Sequence, residues 1–187
     1  MQTFTLDTNC LIDVDESRPA STHILDLVAA HKTGIADVAV VAQSASERTK
    51  DGFYSENYSE FENRLTRLGM SELNEIYTLA YFDISFWGRA LLASEYAMSR
   101  ERQIHEVLFS NQPFEPPDRM MDGESEFSKS YVKWRNRKCD TLIYWAHDNA
   151  NRDVFVTRDA NFKRLEMSDA FPSAVVRTPD EAVAMLT

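Results

Sequence analysis

A chain of 187 residues, with 43% hydrophobic and 27% charged residues, is long enough for one globular core and too apolar for bulk disorder. Its net charge of −10 excludes a uniformly basic nucleic-acid-binding protein, and its two cysteines exclude a disulfide scaffold. No apolar run reaches the ~20 residues that a membrane helix requires, so we expect a cytoplasmic protein with no membrane partner.

The charge is unevenly distributed along the chain. Residues 1–128 contain 10 basic and 22 acidic side chains, a net charge of −12, whereas residues 129–187 contain 10 and 8, a net charge of +2. An anionic ligand is therefore expected to contact the C-terminal third of the protein.

Predicted strands and helices alternate along the chain. Strands are indicated by continuous β-branched runs, and helices by apolar residues that recur every three or four positions. The predicted elements are a strand at 3–7, a helix at 24–33, a strand at 35–41, helices at 43–51 and 56–69, a strand at 76–84, helices at 86–109 and 127–149, a strand at 153–157, a helix from 160, a strand at 174–177 and a helix at 180–185.

This alternation predicts an α/β fold, with three layers (α/β/α) around a mostly parallel central sheet. We expect residues 1–187 to form a single domain. A segment at about 110–126 contains three prolines and is predicted to be an irregular excursion from the domain.

Acidic residues follow the predicted strands. Asp7 ends the first strand, Glu47 lies one helical turn after the second, and Asp159 follows the strand at 153–157. Because ligands of open α/β sheets bind beyond the carboxyl ends of the strands, these acids should share one edge. Asp140 lies between a basic and an apolar half of a helix, where a carboxylate needs a partner.

Four carboxylates in one site repel one another and raise each other's pKa. A divalent cation relieves this repulsion, and oxygen ligands are those of Mg²⁺ or Mn²⁺ rather than of zinc. A site of this kind can activate water for attack on a phosphodiester.

Four segments resemble the PIN domain family in their order and context. They are Leu6-Asp7-Thr8-Asn9, the run from Val40 to Glu47, the run from Lys138 to Ile143, and the run from Val156 to Phe162. The resemblance implies a PIN-like fold and a metal-dependent nuclease, most often a ribonuclease. It assigns the catalytic and metal-binding roles to Asp7, Glu47, Asp140 and Asp159. It assigns the orientation of these carboxylates to Asn9, Thr157 and Asn161.

VapC-like members of the family are toxins of toxin–antitoxin pairs. For this chain the resemblance therefore implies an RNA substrate. It also implies that the protein binds an antitoxin-like partner or forms a homodimer. The chain is longer than a typical toxin of this type, since Asp140 lies 93 positions after Glu47.

The segment 129–138 combines five basic residues with Tyr131 and Trp134. Basic side chains give phosphate contacts, and aromatic rings can stack on unpaired bases. An amphipathic helix with both rings packed inward explains the pattern equally well. The predicted nucleic-acid contacts are Lys133, Arg135, Arg137, Lys138 and Arg158.

Two other functions are compatible with the sequence. One is a catalytically inert PIN-like module that binds RNA or protein. The other is a haloacid-dehalogenase-like phosphatase, which needs a second Asp two residues after the first, where this chain has Asn9. Asp13, Asp15 and Glu16 are expected in a solvated acidic loop, and His147 is expected to be a structural histidine.

Overall fold

The computed structural model of the protein describes residues 1–46, 57–117 and 128–186. The strands are β1 Gln2–Leu6, β2 Ala36–Val41, β3 Asn74–Ile76, β4 Thr78–Leu79, β5 Ala90–Leu91, β6 Val154–Val156 and β7 Val176–Arg177. The α-helices are α1 Thr8–Asp15, α2 Ser21–Lys32, α3 Tyr58–Arg67, α4 Glu95–Leu108, α5 Lys129–Asn149, α6 Lys163–Glu166 and α7 Pro179–Val183. Short 3₁₀ helices span Ala42–Ser46 and Ala160–Phe162.

The central sheet has five strands in the order β3-β2-β1-β6-β7, and every neighbouring pair is parallel. β4 and β5 form a separate two-stranded sheet. The sheet confirms the predicted α/β fold with a mostly parallel centre. Its order places β1 in the middle, so the residue that follows β1 lies at the centre of one sheet edge.

Helices cover both faces of the sheet. Successive side chains of a strand point to opposite faces, so Val154 and Val156 join one hydrophobic cluster while Phe155 joins another. The first cluster includes Leu11 of α1 as well as residues of α2 and α7, and the second includes Leu142 of α5 as well as residues of α4 and α6. The predicted three-layer arrangement is thereby confirmed. Within the described ranges, no helix is long and apolar enough to cross a membrane.

The segment before α4 differs from its prediction. A helix was expected over 86–109, but the observed helix begins at Glu95, where the Ser94 hydroxyl accepts a hydrogen bond from Ala97 N at 3.1 Å. Gly88 has a φ of +77°, a left-handed conformation that ends helical geometry and suits glycine. The apolar residues of this segment have helical spacing but form a turn and β5 instead.

His147 is buried on the inner face of α5. Its Nδ1 lies 2.9 Å from the hydroxyl of Thr5 on β1, and the rings of Tyr144 and Phe155 pack beside it. Burial lowers the pKa of this imidazole to about 3. The native protein therefore holds His147 neutral at a pH where the unfolded chain would protonate it.

We expect this histidine to make the protein sensitive to mild acid. Because the unfolded state alone binds the proton, the free energy of unfolding should fall by about 1.4 kcal/mol for each pH unit below about 6.5. His147→Asn retains an atom that can bond Thr5 and should remove this part of the pH dependence. Urea denaturation at pH 7 and pH 5 measures it. If wild type and His147→Asn lost the same stability between pH 7 and pH 5, His147 would not be the source of the acid sensitivity.

Candidate functional site

Asp7 lies at the carboxyl end of the central strand and is almost completely buried, with 4% of its surface exposed. It caps α1, since its Oδ1 accepts a hydrogen bond from Thr8 N at 2.7 Å. Its Oδ2 accepts hydrogen bonds from Asn9 Nδ2 at 2.5 Å and from the Thr157 hydroxyl at 2.6 Å. The carboxylate is thus fixed in one orientation by three donors.

Burial raises the pKa of Asp7 to about 6. The hydrogen bonds from Thr157 and Thr8 oppose this shift, and the charge of Asp159 adds to it. At neutral pH the carboxylate is therefore ionised, although it has lost most of its solvation. A cation beside it would offset the free energy lost with that water.

Asp159 lies in the turn that follows β6 and is exposed. Its Oδ1 accepts a hydrogen bond from Asn161 N at 2.8 Å, so Asn161 contributes its backbone to this carboxylate. The Thr157 hydroxyl accepts a hydrogen bond from Asp159 N at 3.0 Å. Thr157 therefore links the two acids, by donating to Asp7 and accepting from the backbone of Asp159.

Helix α1 holds this turn at two points. The Oδ1 of Asn9 accepts a hydrogen bond from Arg158 N at 3.2 Å. The carboxylate of Asp13, which has no exposed surface, forms an ion pair with the Arg158 guanidinium and a second one with Arg18 at 3.3 Å. The turn that carries Asp159 is therefore fastened to the helix that begins at Asp7.

These contacts correct one prediction and bear on a second. A solvated acidic loop was predicted for the segment that includes Asp13. The segment is instead the helix α1, and Asp13 is buried in it. Arg158 was predicted to bind RNA; its guanidinium pairs with Asp13, but 41% of its side chain is exposed, so this contact stays a prediction. The signal in the sequence is the position of Asp13 among Leu11, Ile12 and Val14, where an acid is exceptional.

Asp140 is half-buried on α5. The preceding Cys139 accepts a hydrogen bond from Gln43 Nε2 at 3.6 Å, and the Thr8 hydroxyl donates to Ser44 Oγ at 2.8 Å. The 3₁₀ helix after β2 thus contacts both α1 and α5, which brings the Asp140 region to the sheet edge where Asp7 lies. Glu47 falls outside the described residues.

The atoms at this edge that could ligate a metal ion are mainly oxygens. In residues 1–46, 57–117 and 128–186, no group of three His, Cys, Asp or Glu side chains is placed to hold a metal ion. The nearby carboxylates of Asp7 and Asp159 nevertheless suit a hard divalent cation, since Mg²⁺ is often held by one or two carboxylates and keeps several waters. The residues present are therefore chemically compatible with Mg²⁺ or Mn²⁺.

Two of the predicted RNA contacts lie inside the protein. The ammonium of Lys138 forms an ion pair with Glu101 and lies 3.8 Å from the centre of the Tyr81 ring and 4.1 Å from that of Phe114. Lys138 and Arg135 expose 2% and 7% of their surfaces. This burial corrects the prediction that they contact phosphates, because a phosphate needs a cation that it can reach.

The remaining residues of the basic segment are divided between surface and core. Lys133 is exposed and Arg137 is half-buried, so both remain predicted phosphate contacts. Tyr131 and Trp134 expose only 2% and 5% of their surfaces. Of the two explanations for the aromatic residues, the structure therefore shows the inward-packed one.

Neither a protein-family model nor a curated protein matches this sequence. Among solved structures, the chain is similar to one in the crystal structure of VapBC2 from Rickettsia felis bound to a DNA fragment from their promoter. The sequence identity is 14% and the TM-score is 0.44, over 95% of this chain and 98% of that chain. A similarity of this strength carries no functional argument, so the function has to be argued from the site itself.

Proposed function

We propose that this protein is a metal-dependent nuclease of the PIN type, which hydrolyses phosphodiester bonds of RNA. One observation carries the proposal: the buried carboxylate of Asp7 is held by Asn9 and Thr157 at the centre of the sheet edge, beside Asp159. A cation beside this carboxylate would replace the solvation that burial removed.

The proposed roles follow from the position of each side chain. Asp7 and Asp159 would hold the cation, and Asp140 and Glu47 would complete the acidic site. Bound Mg²⁺ or Mn²⁺ supplies an activated water and neutralises the charge that develops on the phosphate. The donors on Asp7 fix its orientation before substrate binds, which reduces the reorganisation needed during the reaction.

The phosphatase alternative is less compatible with the contacts of Asp7. A phosphatase of this type needs an acid two residues after its nucleophilic carboxylate. The residue at that later position is Asn9, whose amide donates to Asp7. Asn9 therefore positions the first acid and has no proton to give to a leaving group.

We also propose a biological role for the nuclease. By its resemblance to VapC-like proteins, the chain would act as a toxin that an antitoxin-like partner restrains. Induced expression of the wild-type chain should then arrest growth, whereas expression of Asp140→Asn should not. Equal growth in both cultures would remove the toxin role and leave the nuclease proposal intact.

The nuclease proposal is tested with a labelled pool of single-stranded RNA and purified protein, in Mn²⁺, Mg²⁺ or chelator. We expect cleavage with either metal and none with chelator, together with a rise in melting temperature on addition of Mn²⁺, since a ligand of the native state stabilises it. A phosphomonoester serves as the control substrate. Absence of both cleavage and thermal shift would favour the inert binding module.

A further inference from the structure

Asp13 is a buried acid of α1 that contacts two arginines. Its carboxylate has no exposed surface, and both of its oxygens accept hydrogen bonds from the guanidinium of Arg158. One of these oxygens also accepts a hydrogen bond from Arg18 Nη1 at 3.3 Å. A carboxylate that binds a guanidinium at two points fixes its direction as well as its distance. Asp13 therefore determines where the side chain of Arg158 lies.

Arg158 stands between two residues of the proposed metal site. Thr157, which precedes it, donates from its hydroxyl to the buried carboxylate of Asp7 at 2.6 Å. Asp159, which follows it, carries the second carboxylate of the site. The backbone N of Arg158 donates to Asn9 Oδ1 at 3.2 Å, and the amide of Asn9 donates in turn to Asp7. Helix α1 thus holds both the backbone and the side chain of the residue that joins the two parts of the site.

The ion pair of Asp13 and Arg158 does more for geometry than for stability. A buried ion pair often stabilises a fold no more than apolar residues of the same volume would. What this pair adds is a fixed direction for the turn that carries Asp159. We propose that Asp13 is a positioning residue of the metal site, which acts through Arg158. It keeps the Asp159 carboxylate beside that of Asp7 and so raises the affinity for Mg²⁺ or Mn²⁺, an inference that rests on the proposed function.

Charge alone predicts a different result from positioning. The positive charge of Arg158 adjoins Asp159 and would repel a cation bound there, so its removal should strengthen metal binding. If Arg158 holds the turn, its removal should weaken metal binding although a repelling charge is lost. The direction of the change therefore separates the two explanations.

The affinity for Mn²⁺ is measured without RNA, from the loss of the electron paramagnetic resonance signal of free Mn²⁺ as protein is added. We expect Asp13→Asn and Arg158→Gln each to weaken Mn²⁺ binding about tenfold or more, the usual effect of removing a group that orients a metal ligand. Arg18→Gln is the matched control. It removes the other arginine partner of Asp13, outside the turn, and should bind Mn²⁺ as wild type does.

The double variant Asp13→Asn/Arg158→Gln tests whether the two residues act together. If Asp13 acts only through Arg158, the double variant should bind Mn²⁺ about as weakly as Arg158→Gln, because the ion pair is already broken in the single variant. The double variant also removes the buried acid together with its counter-charge, so it can be measured even if a single variant is unstable. Urea denaturation without metal reports the stability of each variant separately.

Other outcomes overturn the inference. Tighter Mn²⁺ binding by Arg158→Gln, wild-type binding by both folded single variants, or losses that multiply in the double variant would each do so and leave the nuclease proposal intact. Weaker RNA affinity of Arg158→Gln in chelator, with unchanged Mn²⁺ affinity, would identify Arg158 as a phosphate contact instead. No saturable binding of Mn²⁺ to wild type would remove the metal site itself, and with it both proposals.

Discussion

Replacing Asp7 by Asn should reduce metal-dependent RNA cleavage by about 100-fold or more, the loss expected when one main charge-stabilising group is removed. Asn has nearly the same shape as Asp and caps a helix equally well, so α1 should keep its N-terminus. What disappears is the negative charge that would hold the cation. Initial rates with labelled RNA in Mn²⁺, at equal protein concentration, measure this effect.

Two controls separate a lost ligand from a lost fold. Asp169→Asn removes the same charge at an exposed position after α6 and should cleave at the wild-type rate. Asp7→Asn should also lose the rise in melting temperature that Mn²⁺ gives the wild-type protein, because the charge that would hold the cation is gone. A wild-type rate of cleavage by Asp7→Asn would mean that Asp7 binds no catalytic metal.

Replacing Lys138 by Met should lower the free energy of unfolding by about 3–5 kcal/mol, the usual cost of removing one partner of a buried ion pair. Glu101 has no exposed surface, and among the described residues the Tyr81 hydroxyl, which donates to it at 2.7 Å, is the partner that it would keep. Its negative charge would remain in the interior and lose the counter-charge that Lys138 supplies. Urea denaturation at pH 7 measures the change.

The matched control is Lys133→Met, an identical substitution on the exposed side of the same helix, which should change stability by less than about 0.5 kcal/mol. Adding Glu101→Gln to Lys138→Met should recover much of the lost stability, since no unpaired charge then remains. If Lys138→Met instead kept its stability and lost RNA affinity, Lys138 would be a phosphate contact after all.

The sheet could be predicted because the amino-acid composition of its main strands is itself typical of buried strands. β2 is apolar except for Asp37 and rich in valine, and such runs occur where both faces of a strand are covered. The position of Asp7 and Asp159 after their strands follows from the same logic, because parallel strands end at one edge. Segment 86–94 could not be predicted in this way. Its apolar spacing is helical, and spacing alone does not tell a buried face from an exposed one.

The buried ion pairs were beyond sequence analysis for a different reason. Asp13 and Arg158 are 145 residues apart, and Lys138 meets Glu101 from the neighbouring helix α4. A charged residue is assigned to the surface unless its partner is known, and distant partners are revealed only by the fold. Arg158 and Lys138 were therefore predicted to bind RNA, although each holds two elements of the structure together.

The contacts of Asp7 also decide when, during synthesis, the site can form. The hydroxyl that fixes this carboxylate belongs to Thr157, 150 residues further along the chain, and β1 pairs with β6 as well as with β2. A nascent chain emerging from the ribosome therefore has the first acid long before it has the strand and turn that complete its surroundings. Any chain that ends before β6 lacks Thr157 and Asp159 together. An activity that depends on this site would be withheld from truncated and incomplete products, and would arise only once the last quarter of the polypeptide had folded onto the first strand.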